Sequence, residues 1–174
     1  MTHARYCRRG ARCGRSHLTS TDGTSSSWLS KAESKAHVAS AAELMQLHFS
    51  TLLANPQRWR SLISDEIVWE RPYAASLGKS TEIFGKARAI EHVTRFVGIF
   101  TSFQFLDVEI LNGLDRNHAV ACALARGQIK STGRVYEQEF VVFLKSSKGR
   151  IDYLREYFDP LRMPWALAMG EANS

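Results

Sequence analysis

No apolar run in this 174-residue chain approaches the roughly 20 residues needed to cross a membrane as a helix. Cysteine is scarce, with only Cys7, Cys13 and Cys122. An odd count with no zinc or disulfide spacing excludes a disulfide framework and leads to the expectation of reduced thiols in a cytoplasmic setting. The six histidines include no His-Glu-x-x-His and no close pair, so no metal site is expected. Gly78-Lys79-Ser80-Thr81 looks like the end of a phosphate-binding loop, but Tyr73 stands where that loop requires its first glycine. There is no Gly-x-Ser-x-Gly nucleophile elbow and no glycine-rich dinucleotide fingerprint.

Acidic residues are missing from the first 21 positions. Residues 1–35 carry seven basic side chains and two acids, a net +5, so only +1 of the total +6 belongs to the other 139 residues. The basic balance is therefore a property of the tail, and an overall nucleic-acid-binding reading is not expected. Residues 1–33 are rich in Arg, Ser, Thr and Gly, with too few large apolar residues to offset ordering entropy, so a disordered basic tail is expected. It reads as a dispensable extension, an organelle-targeting peptide or an arm for anionic partners. An apolar core typical of a secretory signal is missing.

Residues 34–170 are patterned like one domain, long enough for a sizeable core. Val38, Ala41, Met45, Phe49 and Leu52 recur at helical steps between Glu33 and Ala54. Asn55-Pro56 ends that helix and starts a short second one, with Asn as cap and Pro at the first position. Residues 66–73 read as a strand that Pro72 closes, 74–85 as a loop, and 86–98 as a helix with Ala89, Val93, Phe96 and Val97 in one stripe. Four strands come next, at about 103–112, 118–130, 134–146 and 150–158, separated by Asn112-Gly113, Ser131-Thr132-Gly133 and Ser147-Lys148-Gly149. Helices segregated from an antiparallel meander define an α+β fold.

The last strand carries the chemistry. Alternation puts Leu154, Glu156 and Phe158 on one face, and Tyr153, Arg155 and Tyr157 on the other. Glu156 is a carboxylate between two apolar side chains. It either has a partner across the sheet as a structural feature or titrates near neutrality, which suits acid–base work. Tyr136, Gln138 and Phe140 share a face of the preceding strand. Ala119, Ala121, Ala123, Ala125 and Gly127 form a row of small residues that leaves room for a ligand if it points inward and for another sheet if outward. Trp69 and Tyr73 share a face only if no bulge intervenes. Glu70, on the opposite face, is a second candidate carboxylate.

The element order and the closing Arg-Glu-Tyr-Phe-Asp-Pro-Leu-Arg resemble the nuclear-transport-factor-2-like superfamily over about residues 36–168, within it the SnoaL-like polyketide cyclases and ketosteroid-isomerase-related proteins. The resemblance implies a cone: a curved antiparallel sheet, the cystatin-like α+β barrel, closed by three helices from the N-terminal half, with a pocket inside and often a dimer on the outer sheet face. Three short stretches resemble the phenazine-biosynthesis A/B proteins: Gly85-Lys86-Ala87-Arg88-Ala89-Ile90-Glu91-His92, Tyr136-Glu137-Gln138-Glu139-Phe140 and Arg155-Glu156-Tyr157. This implies Glu156 and His92 as an acid–base pair and Tyr136 as a pocket residue. That family's pocket arginine, before the first strand, has no counterpart in register; Arg58 and Arg60 lie nearby. Strand 118–130 contains no Asp or Glu, which disfavours variants of the fold with a catalytic acid there.

The expectation is an enzyme of secondary metabolism, without metal or organic cofactor, that moves a proton beside a carbonyl of an apolar cyclic substrate. Glu156 and His92 would be catalytic; Tyr136, Gln138, Trp69, Tyr73 and Glu70 would bind substrate. The alternatives are a ligand- or protein-binding module of the same fold without turnover, and an interaction protein recruited by its tail.

Overall fold

The computed structural model describes residues 38–168. The expected tail, residues 1–33, lies outside the described residues.

Helix α1 runs from Ala41 to Thr51 and starts where Ser40 and Glu43 cap each other. The Ser40 hydroxyl accepts from the Glu43 amide at 3.3 Å, and the Glu43 carboxylate accepts from the Ser40 amide at 2.7 Å. That box places the helix start later than the hydrophobic period suggests and leaves Val38 half exposed before it. Ala41, Leu44, Met45, His48 and Phe49 form the buried stripe. Asn55 caps α2 (Pro56–Leu62) through the Arg58 amide at 3.0 Å, and Trp59 and Leu62 face inward.

Strand β1 (Ile63–Glu70) is followed by a 3₁₀ turn (Pro72–Leu77) and a short β2 (Glu82–Phe84), both within or beside the segment read as loop. Helix α3 spans Lys86–Gly98, as its stripe predicts. Strands β3 (Phe100–Asn112), β4 (His118–Ile129), β5 (Val135–Ser147) and β6 (Arg150–Phe158) come next, then a short α4 (Arg162–Leu167). Lys148 and Gly149 both take positive φ, 50° and 72°, which matches the right-handed twist of the β5–β6 hairpin.

The sheet order is β2-β1-β6-β5-β4-β3, a curved, unclosed sheet. All neighbours are antiparallel except β1 and β6, which run parallel. Two register shifts in β3 help it bend. The helices α1, α2 and α3 pack over one face of this sheet. The Ala row of β4 points inward and is buried. It lies within the packed core under α1 instead of walling the cavity. At its end Gly127 admits close packing of Phe100 and Phe103.

Candidate active site

Between the helices and the inner sheet face lies a cavity of about 410 Å³ with largely apolar walls. Glu156 and Phe158 of β6, Tyr136 and Phe140 of β5, Trp69 of β1, His92 and Phe96 of α3, and His48 and Phe49 of α1 contribute to it. Alternation along β6 therefore puts Glu156 on the cavity face, beside buried Leu154.

The surface left to Glu156 opens on the cavity. Removal from bulk water pushes its carboxyl up to about 7, against the pull of the Arg71 guanidinium. The Trp69 indole also favours the charged carboxylate. Its buried N–H nonetheless falls outside hydrogen-bond geometry and has no partner among the described residues.

His92 is lowered to about 4 by burial, then by the charges of Arg71 and Arg95. It is neutral at physiological pH, so it can act as a base or a neutral donor but is not a standing imidazolium. A guanidinium nitrogen of Arg71 sits 3.5 Å from Nδ1 and 3.4 Å from Nε2 of His92, and the other terminal nitrogen donates to the Ser80 carbonyl at 3.1 Å. The Arg71 Nε–H is buried without a partner. The Trp69 ring stands edge-on to His92 at 5.6 Å. Tyr136 is buried, and burial followed by the charges of Glu156 and Asp159 raises its phenol, so it stays a neutral O–H.

His48 is fully enclosed and lowered to about 4 by that burial. Its Nδ1 accepts from the Trp59 indole N–H at 3.2 Å.

Glu156, His92, Tyr136 and Trp69 thus surround one cavity. Gln138, Tyr73 and Glu70 do not line it. Gln138 is buried on the inner face but turns its amide to the Glu139 carbonyl at 2.7 Å, leaving its own oxygen unpartnered. Tyr73 follows Pro72 into the 3₁₀ turn, is half exposed and stacks edge-on with Tyr157 at 5.6 Å. Glu70 pairs in register with Arg155, opposite in facing to Trp69. Its carboxylate accepts from Tyr153 at 2.7 Å and from Arg155 Nε at 2.5 Å, which holds it well below the usual carboxylate range.

The cavity residues that the sequence does not single out include Arg71 and His48. Arg71 continues the alternation of Trp69 and Glu70 by one step, a signal obscured by the following proline. Arg71 lines the cavity, as Arg95 does, whereas Arg58 and Arg60 do not. His48 sits one helical turn after Leu44 and Met45, so its place in the buried stripe was readable, but its role depends on Trp59.

Among the described residues no group of three or more His, Cys, Asp or Glu is arranged to hold a metal. No described helix is long and apolar enough to cross a membrane.

No family model matches the sequence. The uncharacterised protein YesE of Bacillus subtilis (strain 168) is 25% identical over 122 residues, covering 70% of this chain and 82% of YesE. A solved structure of a candidate isomerase from Bacillus subtilis matches with TM-score 0.65 and 25% identity, over 75% of this chain and 94% of that one. A candidate polyketide cyclase from Pseudomonas putida gives TM-score 0.63 at 17% identity, over 74% and 98%. An NTF2-like protein from Burkholderia xenovorans gives 0.61 at 16%, over 76% and 100%. The chain has the nuclear-transport-factor-2-like fold. Its structural neighbours also include a phenazine biosynthesis-related protein and a protein with a ketosteroid isomerase-like fold.

Proposed function

We propose that this protein is a cofactor-independent enzyme of secondary metabolism that moves a proton beside the carbonyl of an apolar cyclic or polyketide-type substrate. The observation that carries the reading is Glu156: a carboxyl titrating near 7 inside an apolar cavity, where it is poised to take and return a proton at physiological pH. As carboxylate it removes the proton from the carbon next to the carbonyl. The electron pair of that C–H bond moves into an enolate. The resulting Glu156 acid returns the proton to the same or another atom. Tyr136 and the Arg71 guanidinium are the donors for the enolate oxygen, and neutral His92 relays or receives a proton.

Isomerisation, cyclisation, dehydration and condensation share this step. The names of the neighbours, which include a candidate isomerase, two candidate polyketide cyclases and an epoxide hydrolase-like protein, support a small-molecule enzyme. Also part of the proposal are a domain at residues 34–170, a cytoplasmic setting, and pairing of two copies through the outer sheet face near exposed Phe143. Light scattering checks the pairing.

The test is hydrogen–deuterium exchange at the α-carbon of a panel of cyclic ketones in D₂O. Wild type is expected to speed exchange for some members, and Glu156→Gln to remove most of that effect. Equal exchange by both proteins would refute the proposal.

A further inference from the structure

We propose that His48 is a fixed hydrogen-bond donor to a ligand oxygen, and that Trp59 is the positioning residue that makes it one. The inference rests on the proposed oxygen-bearing substrate and names a group that meets it.

An indole N–H can only donate. At 3.2 Å it faces Nδ1 of His48, so that nitrogen must be the bare acceptor. A proton there would set two N–H groups against each other. The ring is thereby held in one state, neutral with its proton on Nε2. Trp59 is buried on α2 and His48 on α1, so the bond is shielded from water. The helix-to-helix turn at Asn55 and Pro56 delivers one residue to the other.

Nε2–H is then the polar atom that His48 has left to offer. It makes no hydrogen bond among the described residues, although the ring lines the cavity. The ring is boxed edge-on by Phe49, Trp59 and Trp69 at 5.2, 6.2 and 6.1 Å, so it cannot readily turn to another partner. Nε2 is not among the enclosed unpartnered polar atoms, which fits a donor with surface open to the cavity that its ring lines, free to meet an acceptor there. The matching ligand is an apolar molecule with a carbonyl or ether-type oxygen at the α1 side of the cavity. A cationic ligand group would meet only a donor there. His48 thus selects for oxygen without changing charge near neutral pH, whereas Glu156 changes charge there.

The experiment has two arms on the full chain. The first is long-range ¹H–¹⁵N NMR of the imidazoles in wild type and Trp59→Phe. Wild type should show His48 as the single Nε2–H form, unchanged between about pH 5.5 and 8. Trp59→Phe should show mixed tautomers. An Nδ1–H form in wild type overturns the proposal. The second arm measures binding of 1-tetralone against tetralin, the same skeleton without the oxygen. His48→Phe should weaken 1-tetralone about five- to tenfold and leave tetralin unchanged, the effect of one lost hydrogen bond. His48→Gln, whose amide can accept from Trp59 and donate into the cavity, should keep most of the preference. An equal loss for both compounds in His48→Phe marks a packing role and overturns the proposal; should that variant not fold, loss of the preference for 1-tetralone in His48→Gln, which keeps a donor, overturns it instead. Glu156 does not enter either arm, so failure of the proton-transfer reading would show separately as unchanged exchange in Glu156→Gln.

Discussion

Arg71 presses a guanidinium nitrogen against both nitrogens of His92, at 3.4 and 3.5 Å, while its charge also acts on Glu156. One cation thus biases two titrating groups in opposite senses of charge. It keeps the imidazole neutral and favours the carboxylate.

Replacing it should therefore move both titrations the same way. In Arg71→Met, Glu156 should rise above about 7 and His92 should rise from about 4. Site-resolved NMR titration reads both. A downward move of either would contradict this electrostatic arrangement.

Glu156→Gln should cost about 10²- to 10⁴-fold in any proton-transfer activity. It should also stabilise the fold at alkaline pH. In the fold Glu156 holds its proton up to about pH 7, whereas in the unfolded chain it gives it up near 4.5. Across that window the folded state binds the extra proton, so the stabilisation is present below 4.5 and is lost as the pH rises to 7. Removing the titration should recover up to about 3 kcal/mol at pH 8, seen in urea unfolding at pH 5 and 8.

The buried histidines act at the acid end. His48 and His92 are both lowered from 6.5 to about 4, so the unfolded chain takes up their protons first. Their contribution is present above 6.5 and lost as the pH falls toward 4. Two such groups outweigh Glu156 where the windows overlap, so wild type should lose stability on acidification from pH 6.5. His92→Gln should flatten that loss, as denaturation midpoints at pH 6.5 and 4.5 would show.

Glu70→Gln is the control carboxylate. Its side chain is tied to Tyr153 and Arg155 on the outer face, away from the cavity. Exchange activity should stay near wild type, with only a small change in stability. A loss matching that of Glu156→Gln would place the chemistry on the wrong face.

Gly127→Ala tests the aromatic end of the core. An added Cβ would lie 2.6 Å from Phe100 Cδ1 and 2.9 Å from both Phe103 Cδ2 and the Ser102 carbonyl. The backbone oxygen cannot swing aside, so a destabilisation of about 1–3 kcal/mol is expected in thermal or urea unfolding.

Helix α3, the four-strand meander and the shared face of Leu154, Glu156 and Phe158 were legible in the residues, because apolar period and turn glycines act over a few neighbours. The parallel junction of β1 with β6 was not, since no local pattern records which distant strand supplies a hydrogen-bond partner. The same limit explains Tyr73, which leaves the strand face when Pro72 starts a 3₁₀ turn, and Glu70, whose partners lie more than 80 positions away.

By itself the sequence determined that a carboxylate lies among apolar residues on one face of the last strand, and that Ala89, Val93, Phe96 and Val97 share a stripe of α3. Tertiary structure alone decided that Arg71 reaches both groups and that Trp59 faces His48. The reason is physical. Alternation and helical period set where a side chain points, but protonation state depends on burial and on charges brought close by folding.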